Sequence, residues 1–217
     1  MSIITVERKV LAKNDEIAQD NRSLFDHHRL FVVNLVSSPG AGKTSLIERA
    51  LERLKGRVSV GVIEGDVQTD LDSQRVARYG VPVVQIVTRG GCHLDASLVR
   101  DALKILDLQS LRLLLIENVG NLVCPANYDL GEAMKIVVAS TTEGDDKPLK
   151  YPEIFIRAAA LVVNKTDLLP YLTSDASLLR KNALSINPRL AVFETSCISG
   201  SGIDEWCDWL LKKSGEW

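Results

Sequence analysis

Ser37-Ser38-Pro39-Gly40-Ala41-Gly42-Lys43-Thr44 combines two glycines, a lysine and a hydroxyl in one short run, the residue set that holds a nucleoside triphosphate. Gly40 and Gly42 let successive backbone N–H groups converge on an anion, and the helix that follows adds the positive end of its dipole. Lys43 then reaches the β- and γ-phosphates and the Thr44 hydroxyl binds Mg²⁺, with Pro39, Ala41 and Ser45 completing the cradle. Ser37 stands where the usual pattern has its first glycine.

Asn164-Lys165-Thr166-Asp167 supplies a second nucleotide element. A carboxylate at Asp167 accepts from guanine N1–H and its exocyclic amine, a pattern adenine does not offer, while Asn164 and the Lys165 stem frame the base. The motif follows a late strand downstream of the phosphate loop, which points to GTP rather than ATP. Ser196 and Cys197, after the next strand, either touch guanine from its other side or form an ordinary strand-end turn.

Asp66, in Glu64-Gly65-Asp66, and Glu117, in Glu117-Asn118-Val119-Gly120, end apolar runs and offer hard carboxylate oxygens to Mg²⁺ or its waters. Capping the next helix is the alternative use of each. Glu117 replaces the aspartate of an Asp-x-x-Gly switch element. Asp66, Gln68, Thr69, Asp70 and Asp72 make a first switch segment able to order around a γ-phosphate. Lys43, Asp66 and Glu117 are the expected catalytic groups. No side chain reads as a strong general base, which suits a reaction run by positioned phosphates and Mg²⁺.

Soft ligands form a third set. Gly90-Gly91-Cys92-His93 and Cys124-Pro125 fall past strand-like runs, so their loops are expected at one sheet edge. Two thiolates and an imidazole suit Ni²⁺, Zn²⁺ or Cu⁺ and disfavour Mg²⁺. A fourth position is open to water or to a symmetry-related subunit. Cys124 has the alternative of a small buried hydrophobe. Cys207, beside Trp206 and Trp209, reads as core or interface filler, and Cys197 as ambiguous. Lys147 and Lys150 either contact nucleotide across a dimer or are solvated.

These groups need a scaffold. The apolar runs Leu30–Val36, Val58–Ile63, Val83–Val87, Leu111–Ile116, Ile136–Ala139, Ala160–Val163 and Ala191–Phe193 alternate with helical patterns. The helical patterns lie at Ser45–Leu54, around Asp70–Tyr79, Ala96–Leu106, Pro152–Ala158, Asp175–Ser185 and Ile203–Lys212. Such alternation predicts an α/β fold, a doubly wound, mostly parallel sheet of about seven strands with helices on both faces. Right-handed crossovers bring the loops after the strands to one edge. Lys9–His28 has helical apolar spacing, so residues 1–28 are predicted as an N-terminal helical extension and 29–217 as a P-loop GTPase domain.

The chain has 217 residues, 46% hydrophobic and 25% charged, an ordinary balance for one folded domain. A net charge of −2 gives no electrostatic case for nucleic acid or an anionic membrane as partner. No apolar run approaches the ~20 residues that cross a bilayer, and Met1–Lys9 does not resemble a signal peptide. A cytoplasmic location is expected. The four scattered cysteines do not make a disulfide scaffold.

Together these residues closely resemble the HypB-type nickel-incorporation GTPases of nickel–iron hydrogenase assembly, P-loop proteins of the SIMIBI class. Ser38–Thr44, Ile63–Asp66, Gly91–Asp95, Glu117–Ala126, Thr142–Pro152 and Asn164–Tyr171 carry the resemblance, which runs from about Leu30 to the C-terminus. It implies a low intrinsic GTPase and a nucleotide- or metal-dependent homodimer. It also implies a Zn²⁺ or Ni²⁺ site of Cys92, His93 and Cys124 near the dimer interface, and Mg²⁺ on Thr44, Asp66 and Glu117. The implied partners are the hydrogenase large subunit and other maturation accessory proteins. Glu117 and Cys124 share one short loop, so closure around a γ-phosphate is expected to move Cys124 relative to Cys92 and His93. Some relatives carry an N-terminal Cys-x-x-Cys-Gly-Cys motif or a histidine-rich segment; residues 1–28 contain no cysteine, so a second, tighter nickel site is not expected.

Rival readings exist. A urease accessory GTPase uses Cys-Pro-His, where this chain has Ala126 after Cys124-Pro125. A cobalamin-enzyme accessory GTPase would share only the nucleotide motifs. From other classes come a GTP-gated adaptor with a purely structural metal, and an ATP-dependent small-molecule kinase, which Asn164–Asp167 disfavours.

Overall fold

Val, Ile and Leu succeeding one another without a helical period favour fully buried strands. The computed structural model describes residues 6–68 and 71–217. Its strands are β1 (Phe31–Ser37), β2 (Val60–Asp66), β3 (Val83–Val87), β4 (Leu113–Glu117), β5 (Met134–Ser140), β6 (Ala158–Asn164) and β7 (Ala191–Glu194). They form one sheet in the order β3-β2-β4-β1-β5-β6-β7, and every pairing is parallel. The expected doubly wound sheet is the observed one.

The helices are α1 (Val6–His28), α2 (Lys43–Leu54), α3 (Leu71–Ala77), α4 (Ala96–Leu103), α5 (Cys124–Asn127), α6 (Lys147–Lys150), α7 (Pro152–Arg157), α8 (Ala176–Ile186) and α9 (Ile203–Gly215). α5 and α6 are too short to leave a period in the sequence. Some strand starts differ from expectation for local reasons. Val58 N–H bonds back to Leu54 O and finishes α2, so β2 begins later. Leu111 N–H bonds to Leu108 O in a 3₁₀ turn, so β4 begins at Leu113. Thr69 and Asp70, expected in the first switch segment, lie outside the described residues.

Period-two alternation sorts β1 onto two faces. Phe31, Val33 and Leu35 pack with Leu46 and Ile47 of α2 and Trp206 and Leu210 of α9. Val32 packs with Phe25 of α1 and Val99 and Leu103 of α4, and Val36 with Ile154 and Phe155 of α7. Asn34 lies on this second face, fully buried. Among the described residues, no helix is long and apolar enough to cross a membrane.

Buried amides fasten α1 to the segments that follow His93 and Cys124. Asn14 Nδ2 donates to Asp129 O (2.8 Å), and its Oδ1 accepts from Ala96 N (2.9 Å). Asn21 Nδ2 donates to Ala96 O (2.9 Å) and Leu130 O (3.0 Å). Arg22 and Asp129 add an ion pair at 2.8 Å.

Candidate nucleotide and metal site

β1 delivers its chain into a loop that turns into α2. Gly42, the N-cap of α2, has φ of +96°, and no side chain caps the helix start. The first N–H groups of α2 are thereby left open toward a cavity of about 480 Å³, which suits an anion. Ser37, in place of the first glycine, is buried and its Oγ accepts from Lys43 Nζ (2.8 Å). Lys43 Nζ also lies 3.7 Å from Glu117 Oε1. The Thr44 hydroxyl donates to the same oxygen at 3.1 Å.

Glu117 does not stand alone. Glu64 is its register partner across β2 and β4, and the two are 2% and 6% exposed. Burial first, then the Glu117 charge, push the Glu64 carboxyl up to about 11. Burial also raises Glu117, against the pull of Lys43. At neutral pH Glu64 therefore keeps its proton. Among the described residues, Glu64 Oε1 and Glu117 Oε2 are buried with no hydrogen-bond partner, and both residues line the cavity. Such oxygens beside Thr44 fit a hard divalent cation or its waters. Asp66 lines the same cavity, and its Oδ1 accepts from Gln68 N (2.8 Å).

The base-side motifs meet the phosphate loop directly. Asn164 Nδ2 donates to Ala41 O (3.0 Å), and its Oδ1 accepts from Thr195 Oγ1 (3.2 Å) and Cys197 Sγ (3.4 Å). Lys165 Nζ donates to Gly40 O (2.6 Å). Ser196 Oγ donates to Asp167 Oδ1 at 2.5 Å, orienting that carboxylate.

The soft ligands converge at the same sheet edge. Cys92 and Cys124 sulfurs are 2.9 Å apart, Cys92 Sγ is 3.4 Å from His93 Nδ1, and the ligand atoms of all three lie within 4.8 Å of one another. A tetrahedral ion with Zn–S bonds of ~2.3 Å holds two sulfurs roughly 3.8 Å apart, so a small opening of the pair admits it. Burial lowers the His93 pKa and favours the neutral ring that ligates. The Cys124 thiol is raised by its hydrogen bond with Cys92 and then by burial. Asp95 fixes this loop by accepting from Leu98 N (2.8 Å) at the start of α4.

Gly120 joins the two halves by contact. A Cβ built there would lie 2.9 Å from Pro39 Cα, so the segment from Glu117 to Cys124 rests on the phosphate loop, backbone to backbone.

Residues 31–194 match the protein family described as CobW/HypB/UreG, nucleotide-binding domain. Over 213 residues the chain is 51% identical to hydrogenase maturation factor HypB of Azotobacter vinelandii, covering 98% of this chain and 70% of that one. The chain belongs to the HypB family. HypB from Archaeoglobus fulgidus shares its fold with a TM-score of 0.88 at 40% identity, over 94% of this chain and 99% of that one. HypB from Helicobacter pylori in complex with nickel gives 0.90 at 37% identity, over 94% and 96%.

In this HypB-family chain the expected phosphate, base and soft-ligand residues gather at one edge of the sheet. Two cysteines stay out of the thiol cluster. Cys207 is buried in the core, its thiol pushed up to about 12 chiefly by burial, and Cys197 sits against Asn164. Glu64 was not among the candidates, because its role depends on register with Glu117. The available signal was a pair of acids closing two apolar runs. Lys147 contacts its own chain: Nζ donates to Ser38 Oγ (3.2 Å) from α6, whereas Lys150 pairs with Asp146 at 2.7 Å on the surface.

Proposed function

We propose that this HypB-family chain is a GTP-hydrolysing metallochaperone that binds nickel or zinc and assists nickel insertion into a nickel–iron hydrogenase. One observation carries the reading. The ligand atoms of Cys92, His93 and Cys124 lie within 4.8 Å of one another at the edge that bears the phosphate loop, and Cys124 shares its segment with Glu117. The nickel complex of the Helicobacter pylori relative supports nickel as cargo.

In this reading the N–H groups of Gly40, Ala41, Gly42 and the start of α2, with Pro39 and Ser45 beside them, hold the phosphates. Lys43 offsets their charge. Thr44, Asp66 and Glu117 hold Mg²⁺, which supplies positive charge to the phosphoryl oxygens. Asp167 accepts from guanine, Ser196 holds Asp167, and Asn164, Lys165 and Cys197 wall the base. Glu64 carries a proton at neutral pH and is no base, in keeping with slow turnover. The fourth metal position belongs to water or to a second copy in a nucleotide- or metal-dependent homodimer. The recipients are the hydrogenase large subunit and its maturation proteins. Residues 1–28, of which 1–5 lie outside the described residues, form the extension that flanks a GTPase domain spanning 29–217.

Nickel and zinc titrations of wild type and of Cys92→Ala, His93→Ala and Cys124→Ala, with GDP or a non-hydrolysable GTP analogue, test this alongside molecular mass. Each substitution should weaken metal binding by at least about tenfold. Unchanged affinity in all three would overturn the metal reading. Metal release on hydrolysis separates cargo from a purely structural ion.

A further inference from the structure

A line of buried amides starts at Asn118, beside the nucleotide cavity, and runs through Asn34 to Glu132. Asn118 directly follows Glu117 and is 1% exposed. Its Oδ1 accepts from the backbone N–H of Leu94 (3.0 Å) and of Val119 (3.0 Å), and its Nδ2 donates to Asn34 Oδ1 (3.2 Å). Asn34 Nδ2 in turn donates to Glu132 Oε1 (3.2 Å). That oxygen also accepts from Lys135 Nζ (2.6 Å), and Glu132 Oε2 accepts from Leu130 N (2.6 Å).

The direction of this chain is forced. Glu132, ion-paired with Lys135, only accepts, so Asn34 turns its nitrogen to Glu132 and its oxygen to Asn118. Asn118 must then donate toward Asn34, which leaves its own oxygen facing Leu94 and Val119. Leu94 immediately follows His93, and Val119 leads on to Cys124. One side chain thus ties the Cys92–His93 segment to the residue after Glu117, on the segment that leads to Cys124.

We propose that Asn118 is the positioning residue that links the two sites, making the Cys92–His93 segment follow Glu117 when nucleotide and Mg²⁺ displace it. The proposal rests on the nucleotide and metal reading given above. Without Asn118 each site still meets its ligand, but neither responds to the other; linkage makes that loss reciprocal. Asn118→Asp is close in shape yet sets a carboxylate oxygen against Asn34 Oδ1, and turning Asn34 round only moves the clash to Glu132.

The test is the affinity of the full chain for Zn²⁺ and for Ni²⁺, by chelator competition, with GDP or with a non-hydrolysable GTP analogue and Mg²⁺. Wild type, Asn118→Ala, Asn118→Asp and Asn34→Ala are compared. The ratio of metal affinities between the two nucleotide states should fall to within about twofold of unity in both Asn118 variants. It should shrink in Asn34→Ala, where neither ligand-bearing segment is altered. A merely structural Asn118 would weaken metal binding equally in both states and preserve the ratio, which overturns the proposal. A wild-type ratio of unity defeats the underlying link between nucleotide and metal, and this role with it. A linked wild type with an unchanged ratio in the variants defeats the role of Asn118 alone. If circular dichroism shows the Asn118 variants unfolded, an unchanged ratio in Asn34→Ala is the overturning result.

Discussion

Cys92 and Cys124, 32 residues apart in the chain, bring their sulfurs to 2.9 Å, one on the loop after β3 and the other at the start of α5. Both must lose a proton to bind a metal ion, and the Cys124 thiol is held above its ordinary value by Cys92 and by burial. His93 is shifted the other way and is already neutral near pH 7. Nickel or zinc affinity should therefore rise with pH, log K climbing by up to about two per pH unit below the thiol pKa values. Chelator competition at several pH values measures the slope, which should drop toward one in Cys92→Ser. A flat profile contradicts thiolate ligation.

Glu64 makes stability depend on pH in a stated direction. Its folded pKa of about 11 lies far above that of an unfolded glutamate. Below the unfolded value both states are protonated and there is no penalty. Above it the unfolded chain releases a proton that the folded chain keeps, so stability falls as pH rises toward the folded value. Glu64→Gln keeps an N–H donor and removes the penalty. In nucleotide-free protein with a chelator, its Tm should match wild type near pH 4 and exceed it at neutral pH, by about 2–4 °C per kcal/mol recovered. No gain at neutral pH would mean that Glu64 is ionised in the fold.

Asp167 presents an oriented acceptor, held by Ser196 at 2.5 Å. Asp167→Asn places a donor where guanine also donates, but xanthine carries an oxygen at that position. GTP affinity should fall by about 10²-fold or more, and the xanthine nucleotide should become the preferred ligand. Competition between labelled nucleotides measures both. Retained GTP preference would remove Asp167 from base recognition.

Lys147 and Lys150 flank one turn yet should behave differently. Lys147 reaches Ser38 of the phosphate loop, whereas Lys150 is engaged with Asp146 at the surface. Lys147→Ala should weaken GTP binding by roughly threefold to tenfold, the scale of one ordinary hydrogen bond, and Lys150→Ala by less than about twofold. Equal effects, or effects seen only on dimerisation, would move Lys147 to a subunit interface.

The sheet was legible because its strands are almost wholly apolar. Leu113–Glu117 and Ala158–Asn164 advertise burial on both faces, and the loops after parallel strands have one place to go. The phosphate loop and the Cys92, His93, Cys124 set were legible because their chemistry depends on residue type. What escaped depends on register and side-chain direction. Glu64 acts through its partner across β2 and β4, and no local pattern reports that pairing. Asn34 was the available hint, an amide inside Phe31–Ser37 that had to find a buried partner. Asn14 and Asn21 were similarly hidden, because helical periodicity reports apolar spacing and is silent on amides that anchor to distant backbone.

Gly120 leaves no space for even a methyl group above Pro39. The two backbones touch there with only the Pro39 ring beside them, so one fixes how close the other can lie. Cys124 is four residues further along. A larger residue at Gly120 would push the Glu117–Cys124 segment off Pro39, disturbing the phosphate loop and the thiol pair together.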